Sequence, residues 1–300
     1  MTESFKGVFA ALTTPFVQDE ISLEEFIGNI QKFNSLDLAG YVVLGSTGEA
    51  VYLTDEESEK MVQAAKENTP SDKKILVGTA RESTKITLEF TNHMASLGAD
   101  AALIRTPSYF KSRIGHEALK KHYLTIADHS KIPVIIYNIP QYTGISIDPR
   151  LIIELSGHPN IAGIKDSSGN LAFLGEVILH LDPNFNFLLG AGSLFLPGLI
   201  LGACGGILRL ADVAPAQCIK LYNLFLEKKW DEALKLQLAL IPLNNAVTKT
   251  YGVPGLKYAM DLLGYYGGLP RSPLLPPEEK DKKEIENILN KLNLINISKE

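Results

Sequence analysis

Phe187–Leu208 reads FLLGAGSLFLPGLILGACGGIL, 22 residues without a charge, about the length that crosses a bilayer as a helix. Its punctuation argues against that. Glycines at 190, 192, 198, 202, 205 and 206, together with Pro197, break the run. Such breaks favour a strand, a turn, a short helix and a second strand, with both strands buried on both faces. Working outward, similar short apolar runs recur along the chain: Gly7–Thr13, Tyr41–Leu44, Ile75–Val77, Ala101–Ile104, Pro133–Tyr137, Ile161–Ile164, Phe185–Leu189 and Gly206–Leu210. The intervals carry helical stripes, for example Leu23, Phe26, Ile27, Ile30 and Phe33, or Ile86, Phe90, Met94 and Leu97. Thr54-Asp-Glu-Glu57 and Asp148-Pro149 have the form of helix starts. Eight such strand–helix units predict an α/β chain folded as a (β/α)8 TIM barrel. A doubly wound open sheet suits the pattern less well, because no glycine-rich fingerprint loop is present. Beyond Lys228 no strand-like run remains, and Trp230–Thr250, Gly255–Leu263 and Glu278–Leu292 are helical in pattern. The expected division is a barrel over 1–228 and a helical extension over 229–300, with an irregular connection at Gly264–Pro277.

Composition narrows the class. The chain has 300 residues, 45% hydrophobic and 21% charged, and a net charge of −5, so it offers no basic field for nucleic acid. The start MTESFKGVFAALTTPF lacks a basic region and a long apolar run, so no export signal and no membrane partner are expected. Cys204 and Cys218 are too few for a disulfide framework, which fits a reduced, cytoplasmic setting. None of the six histidines has metal-ligand spacing, and there is no Walker loop. Neither a metal nor a cofactor is expected.

Barrels carry their chemistry at the carboxyl ends of the strands. Here those ends are Gly45-Ser46-Thr47-Gly48-Glu49, Arg81-Glu82, Thr106-Pro107-Ser108-Tyr109, Tyr137-Asn138, Lys165-Asp166, Gly190-Ala191-Gly192 and Arg209. Lys165 at the mouth would lose part of its preference for the ammonium form, and a free amine attacks carbonyl carbon. The plain alternative is a lysine paired with Asp166. Tyr137 could carry protons or simply belong to the core, and Gly45-Ser-Thr-Gly48 could hold a small carboxylate or be an ordinary turn.

Gly45-Ser-Thr-Gly-Glu49, Tyr137-Asn-Ile-Pro140 and Gly163-Ile-Lys-Asp166, each at a strand end and in this order, resemble the class I pyruvate-dependent aldolases of the dihydrodipicolinate synthase and N-acetylneuraminate lyase superfamily. The resemblance runs from about Phe5 to Leu275. It implies a barrel with a helical tail, a homotetramer or at minimum a dimer, a lysine Schiff base and no cofactor. Lys165 would be the Schiff-base lysine and Tyr137 the proton shuttle. Ser46 would relay protons to Tyr109 of a neighbouring subunit. Thr47 would hold the pyruvyl carboxylate. Ser167, Gly190 and Ile207 are further candidate substrate-binding residues, and Arg209 is one that lies outside the resemblance.

The aldehyde partner is harder to read. Synthases acting on aspartate semialdehyde usually carry an arginine where Tyr142 stands, and sialate lyases usually carry acidic residues where Gly190-Ala-Gly-Ser193 stands. Glu82-Ser-Thr84, Gly98-Ala-Asp-Ala-Ala102, His158-Pro-Asn-Ile161, Lys165-Asp-Ser167, Ala246-Val-Thr248, Gly252–Lys257 and Gly264–Gly268 are most similar to 4-hydroxy-2-oxoglutarate aldolases. The expected reaction is therefore cleavage of 4-hydroxy-2-oxoglutarate to pyruvate and glyoxylate. A 4-hydroxy-tetrahydrodipicolinate synthase joining pyruvate to aspartate semialdehyde is the alternative, and a non-catalytic 2-oxo acid sensor a remote third. Period-two alternation from Ile207 turns Arg209 to the same face. There it would either bind a distal substrate carboxylate or lie against Glu49, Asp166 or Asp212.

Overall fold

The computed structural model describes residues 5–182 and 184–295. Eight parallel strands close into a barrel, and each lies within two residues of the corresponding apolar run. They are β1 (Gly7–Ala11), β2 (Gly40–Val43), β3 (Lys74–Gly78), β4 (Ala101–Arg105), β5 (Val134–Asn138), β6 (Ile161–Asp166), β7 (Asn186–Leu189) and β8 (Gly205–Leu208). Each pairs with its sequence neighbours, and β1 closes the ring against β8 through Gly7↔Gly205 to Ala10↔Leu208. The apolar runs are explained by burial on both sides. In β1, Phe9 and Ala11 pack into the barrel interior, while Val8 and Ala10 pack against the helices.

The barrel helices are α1 (Leu23–Asn34), α2 (Asp55–Asn68), α3 (Thr84–Ser96), α4 (His116–His129), α5 (Pro149–Ser156), α6 (Leu171–Ile178), α7 (Phe195–Ile200) and α8 (Pro215–Leu226). Thr54 begins α2 with a reciprocal capping box to Glu57, and Asp148 caps α5 ahead of Pro149. Phe187–Leu208 resolves into β7, a 3-10 turn, α7 and β8. No helix among the described residues is long and apolar enough to cross a membrane.

One irregularity positions the site. Val134 of β5 pairs with Ile161, but the next residue, Ile135, pairs with Gly163. Ala162 is therefore an extra residue in β6, and the bulge resets the in–out alternation beyond it. Ile164 then faces the helices, while Lys165 stands beside inward-facing Tyr137. Gly163 permits this, because a Cβ there would lie 2.3 Å from the Asn186 carbonyl oxygen.

The tail consists of α9 (Trp230–Asn245), a π-helical turn at Ala246–Thr250, α10 (Gly252–Leu262) and α11 (Glu279–Lys291). It returns to the carboxyl end of the barrel. Gln237 accepts from Leu196 N–H at 2.8 Å and donates to the Gly192 carbonyl at 3.0 Å, gripping the segment after β7. Lys257 of α10 makes a buried ion pair with Glu49 at 2.6 Å and donates to the Leu269 carbonyl at 2.9 Å. Arg271 N–H donates to the other Glu49 oxygen at 2.9 Å, and its guanidinium grips both oxygens of Glu57 at 2.7 and 2.8 Å. Glu49 ends the Ser46–Thr47 turn in a left-handed conformation (φ 55°). The tail thus clamps the turn that presents both hydroxyls.

Candidate active site

A cavity of about 700 Å³ opens at the carboxyl ends of the strands. Of the residues singled out from sequence, Lys165, Tyr137, Thr47, Ser167, Gly190, Ile207 and Arg209 line it together. Ser46 does not. It lines a neighbouring cavity of about 380 Å³ with Arg81, Glu82 and Arg105, and Tyr137 forms the wall between the two spaces. Tyr109 lines neither and is 80% exposed. Its backbone N–H and that of Ser108 donate to Glu82 at 2.9 and 2.8 Å, fixing the loop with the ring turned outward.

Lys165 is 5% exposed, and its Nζ lies 4.2 Å from the centre of the Tyr137 ring. Burial pulls the Lys165 amine below the ordinary lysine value, against an opposing pull from Tyr137. Burial alone would raise the Tyr137 phenol. The charge of Lys165 and polar contacts with Ser167, Ser46 and Lys165 outweigh it and hold the phenol below its ordinary value. An amine and a phenol in such contact can exchange a proton. Gly190 leaves room beside them for the Ser167 hydroxyl, since a Cβ there would lie 1.9 Å from Ser167 Oγ and force it to turn.

Asp166 does not pair with Lys165. It accepts from Asn138 at 2.6 Å and from Ser168 Oγ at 2.8 Å on the other side of β6. Arg209 Nε donates to Thr47 Oγ1 at 3.2 Å, and Nη1 donates to the Val247 carbonyl at 3.1 Å. None of the three acids weighed as its partner pairs with it: Glu49 is held by Lys257 and Arg271, Asp166 by Asn138 and Ser168, and neither oxygen of buried Asp212 has a hydrogen-bond partner. Gln141, Ser193, Asn244, Thr248 and Lys249 also line the cavity and were not singled out from sequence. The π-helical turn delivers Thr248 and Lys249, and hydrophobic periodicity carries no mark of such a turn. Among the described residues no group of three or more His, Cys, Asp or Glu could hold a metal.

A closed eight-stranded barrel with a buried amine at the end of its sixth strand and a phenol against it defines a class of carbonyl-condensing enzymes. The family described as the dihydrodipicolinate synthetase family matches residues 4–292. The chain belongs to this family, and so to the pyruvate-dependent class I enzymes its motifs resemble. It is 36% identical over 293 residues to the 4-hydroxy-tetrahydrodipicolinate synthase of Methanothrix thermoacetophila, covering 96% of this chain and 97% of that one. It is 35% identical over 296 residues to the synthase of the same name from Methanococcoides burtonii, covering 97% and 99%. Dihydrodipicolinate synthase of Aquifex aeolicus superposes with a TM-score of 0.91 at 31% identity, covering 97% of this chain and 99% of that one.

These relatives overturn the expected cleavage of 4-hydroxy-2-oxoglutarate, since curated relatives over nearly the whole chain bear the synthase name instead. The physical reason lies in where the segments behind that expectation fall. Gly98–Ala102 and His158–Ile161 lead into β4 and β6 at the opposite end of the barrel, and Gly252–Lys257 begins a tail helix. Only Lys165, Ser167 and Thr248 among those segments line the cavity. Of the rest, Glu82 lines the neighbouring cavity and the others line neither space.

Proposed function

We propose that the protein is a 4-hydroxy-tetrahydrodipicolinate synthase that condenses pyruvate, held as an imine on Lys165, with aspartate semialdehyde. The observation that carries this reading is the buried Lys165–Tyr137 pair inside a cavity that no carboxylate lines among the described residues, joined to the name its relatives bear. The Lys165 amine attacks the pyruvate ketone and water leaves, giving an iminium. Loss of a methyl proton then yields an enamine, whose carbon bonds to the aldehyde carbon as the aldehyde oxygen takes a proton. The iminium is itself the electron sink, so no cofactor is needed. Tyr137 is placed to move these protons. Thr47 orients the pyruvyl carboxylate, with Ser167, Gly190 and Ile207 shaping the space around it.

Ser46, on the far side of Tyr137, would pass protons toward Tyr109 of a second copy. Tyr109 and Phe110 are exposed side by side with ring centres 5.0 Å apart, an apolar pair that fits contact with a second copy in a dimer or homotetramer. Tyr109→Phe is then expected to lower kcat, and a substitution that separates the copies to lower it equally, as read from steady-state rates beside sedimentation.

Because burial lowers the Lys165 value, the nucleophilic amine grows in as pH rises through a value below that of an ordinary lysine. Tyr137 opposes that lowering, so Tyr137→Phe is expected to move the ionisation lower still while cutting turnover about 10²–10⁴-fold. The pH dependence of imine formation with pyruvate measures the first effect. An ionisation that rises in the variant would contradict the pairing.

A further inference from the structure

The charges around the cavity do not balance. Lys165, Arg209 and Lys249 line it, and among the described residues no Asp or Glu does. A guanidinium is a permanent cation with five N–H donors. Arg209 spends one on Thr47 and one on the Val247 carbonyl, and among the described residues it makes no ion pair. Among the described residues its Nη2 has no hydrogen-bond partner. Asp212, three residues on, is fully buried with neither oxygen hydrogen-bonded; burial pushes its carboxyl up against opposing pulls from Arg209 and Lys165, and it neither lines the cavity nor bonds the guanidinium. Unmatched positive charge in a half-closed cavity is costly unless an anion completes it. One carboxylate belongs to pyruvate, and it cannot match both Lys165 and Arg209.

We propose that Arg209 selects the second reactant, binding an aldehyde that carries its own carboxylate through the free edge of its guanidinium, from the β8 side of the cavity. The inference rests on the imine reading of Lys165 and names what that imine meets. The other wall presents Gln141 and Tyr142, which carry no charge. Lys249 is exposed at the rim, whereas the two hydrogen bonds of Arg209 hold its fork in one orientation. A fixed, planar fork suits bidentate recognition of a carboxylate, which a mobile ammonium does not reproduce.

The test compares the native enzyme with Arg209→Met, Arg209→Lys and Lys249→Met. Borohydride trapping with pyruvate is measured first, as a function of pyruvate concentration. Then kcat/KM is measured for succinic semialdehyde against butanal, an aldehyde of the same length without the carboxylate. The native enzyme is expected to favour the charged aldehyde. Arg209→Met should collapse that preference on the order of 10²-fold, Arg209→Lys should fall between, and Lys249→Met should keep it, with pyruvate trapping retained in all. A preference that survives Arg209→Met, or that is lost with Lys249→Met instead, overturns the assignment. A weakened pyruvate dependence in Arg209→Met with the preference intact also overturns it, by placing Arg209 on the donor carboxylate. Absence of any adduct at Lys165 in the native enzyme defeats the imine reading itself, a result separable from all of these.

Discussion

Borohydride reduction in the presence of pyruvate is expected to attach the pyruvyl unit to Lys165 and to no other lysine, and Lys165→Ala to lose the adduct together with on the order of 10⁴-fold or more of kcat/KM. The reason is local. Lys257 is equally buried, but its ammonium is held by Glu49 and the Leu269 carbonyl and lies against the Phe16 ring at 4.5 Å, so its nitrogen is neither free nor open to substrate. Lys249 reaches the cavity but is exposed to solvent. Among the lysines of the described residues only Lys165 combines burial and access to the cavity with contact to Tyr137. Intact-mass and peptide mapping decide the matter: label on Lys249, or full activity in Lys165→Ala, would contradict it.

The second large effect is on stability. Lys257→Met leaves the Glu49 carboxylate buried without its counter-charge, a loss of about 3–5 kcal/mol. At about 2–4 °C per kcal/mol for a large domain, the melting temperature is expected to fall by on the order of 10 °C. Adding Glu49→Gln removes the stranded charge while keeping an acceptor for the Arg271 N–H, so the double variant should recover part of that loss. A scan of the single and double variants, read as a double-mutant cycle, tests the coupling. Equal melting temperatures for the native and Lys257→Met proteins would show the pair to be energetically idle. Turnover should fall as well, because Glu49 ends the turn that carries Ser46 and Thr47.

The barrel was legible because parallel strands buried on both faces leave apolar runs that need no partner to be seen, and the glycines of Phe187–Leu208 separate β7, α7 and β8 on the page. The Lys165 and Tyr137 positions followed from strand ends. The bulge that turns Lys165 inward did not, since Ala162 looks like any other residue of its run. The tail's part was also hidden. Lys257 and Glu49 are joined across more than two-thirds of the chain, and Thr248 and Lys249 reach the cavity through a π-helical turn that follows no amphipathic period. Tyr109 could be named but not placed in the site, because its ring is exposed and lines neither cavity. Substrate choice misled for a related reason: most of the residues that carried the similarity lie away from the cavity.

The clamp has a consequence for biosynthesis. A chain leaving the ribosome amino end first releases β1 long before β8, so the ring stays open until Gly205–Leu208 emerges to lie beside Gly7–Ala11. Even then the Glu49 carboxylate waits for Lys257 and Arg271, and the floor beneath Arg209 waits for Val247. A nascent barrel is therefore a silent one, and the enzyme acquires its reactive mouth only as the final quarter of the polypeptide is delivered.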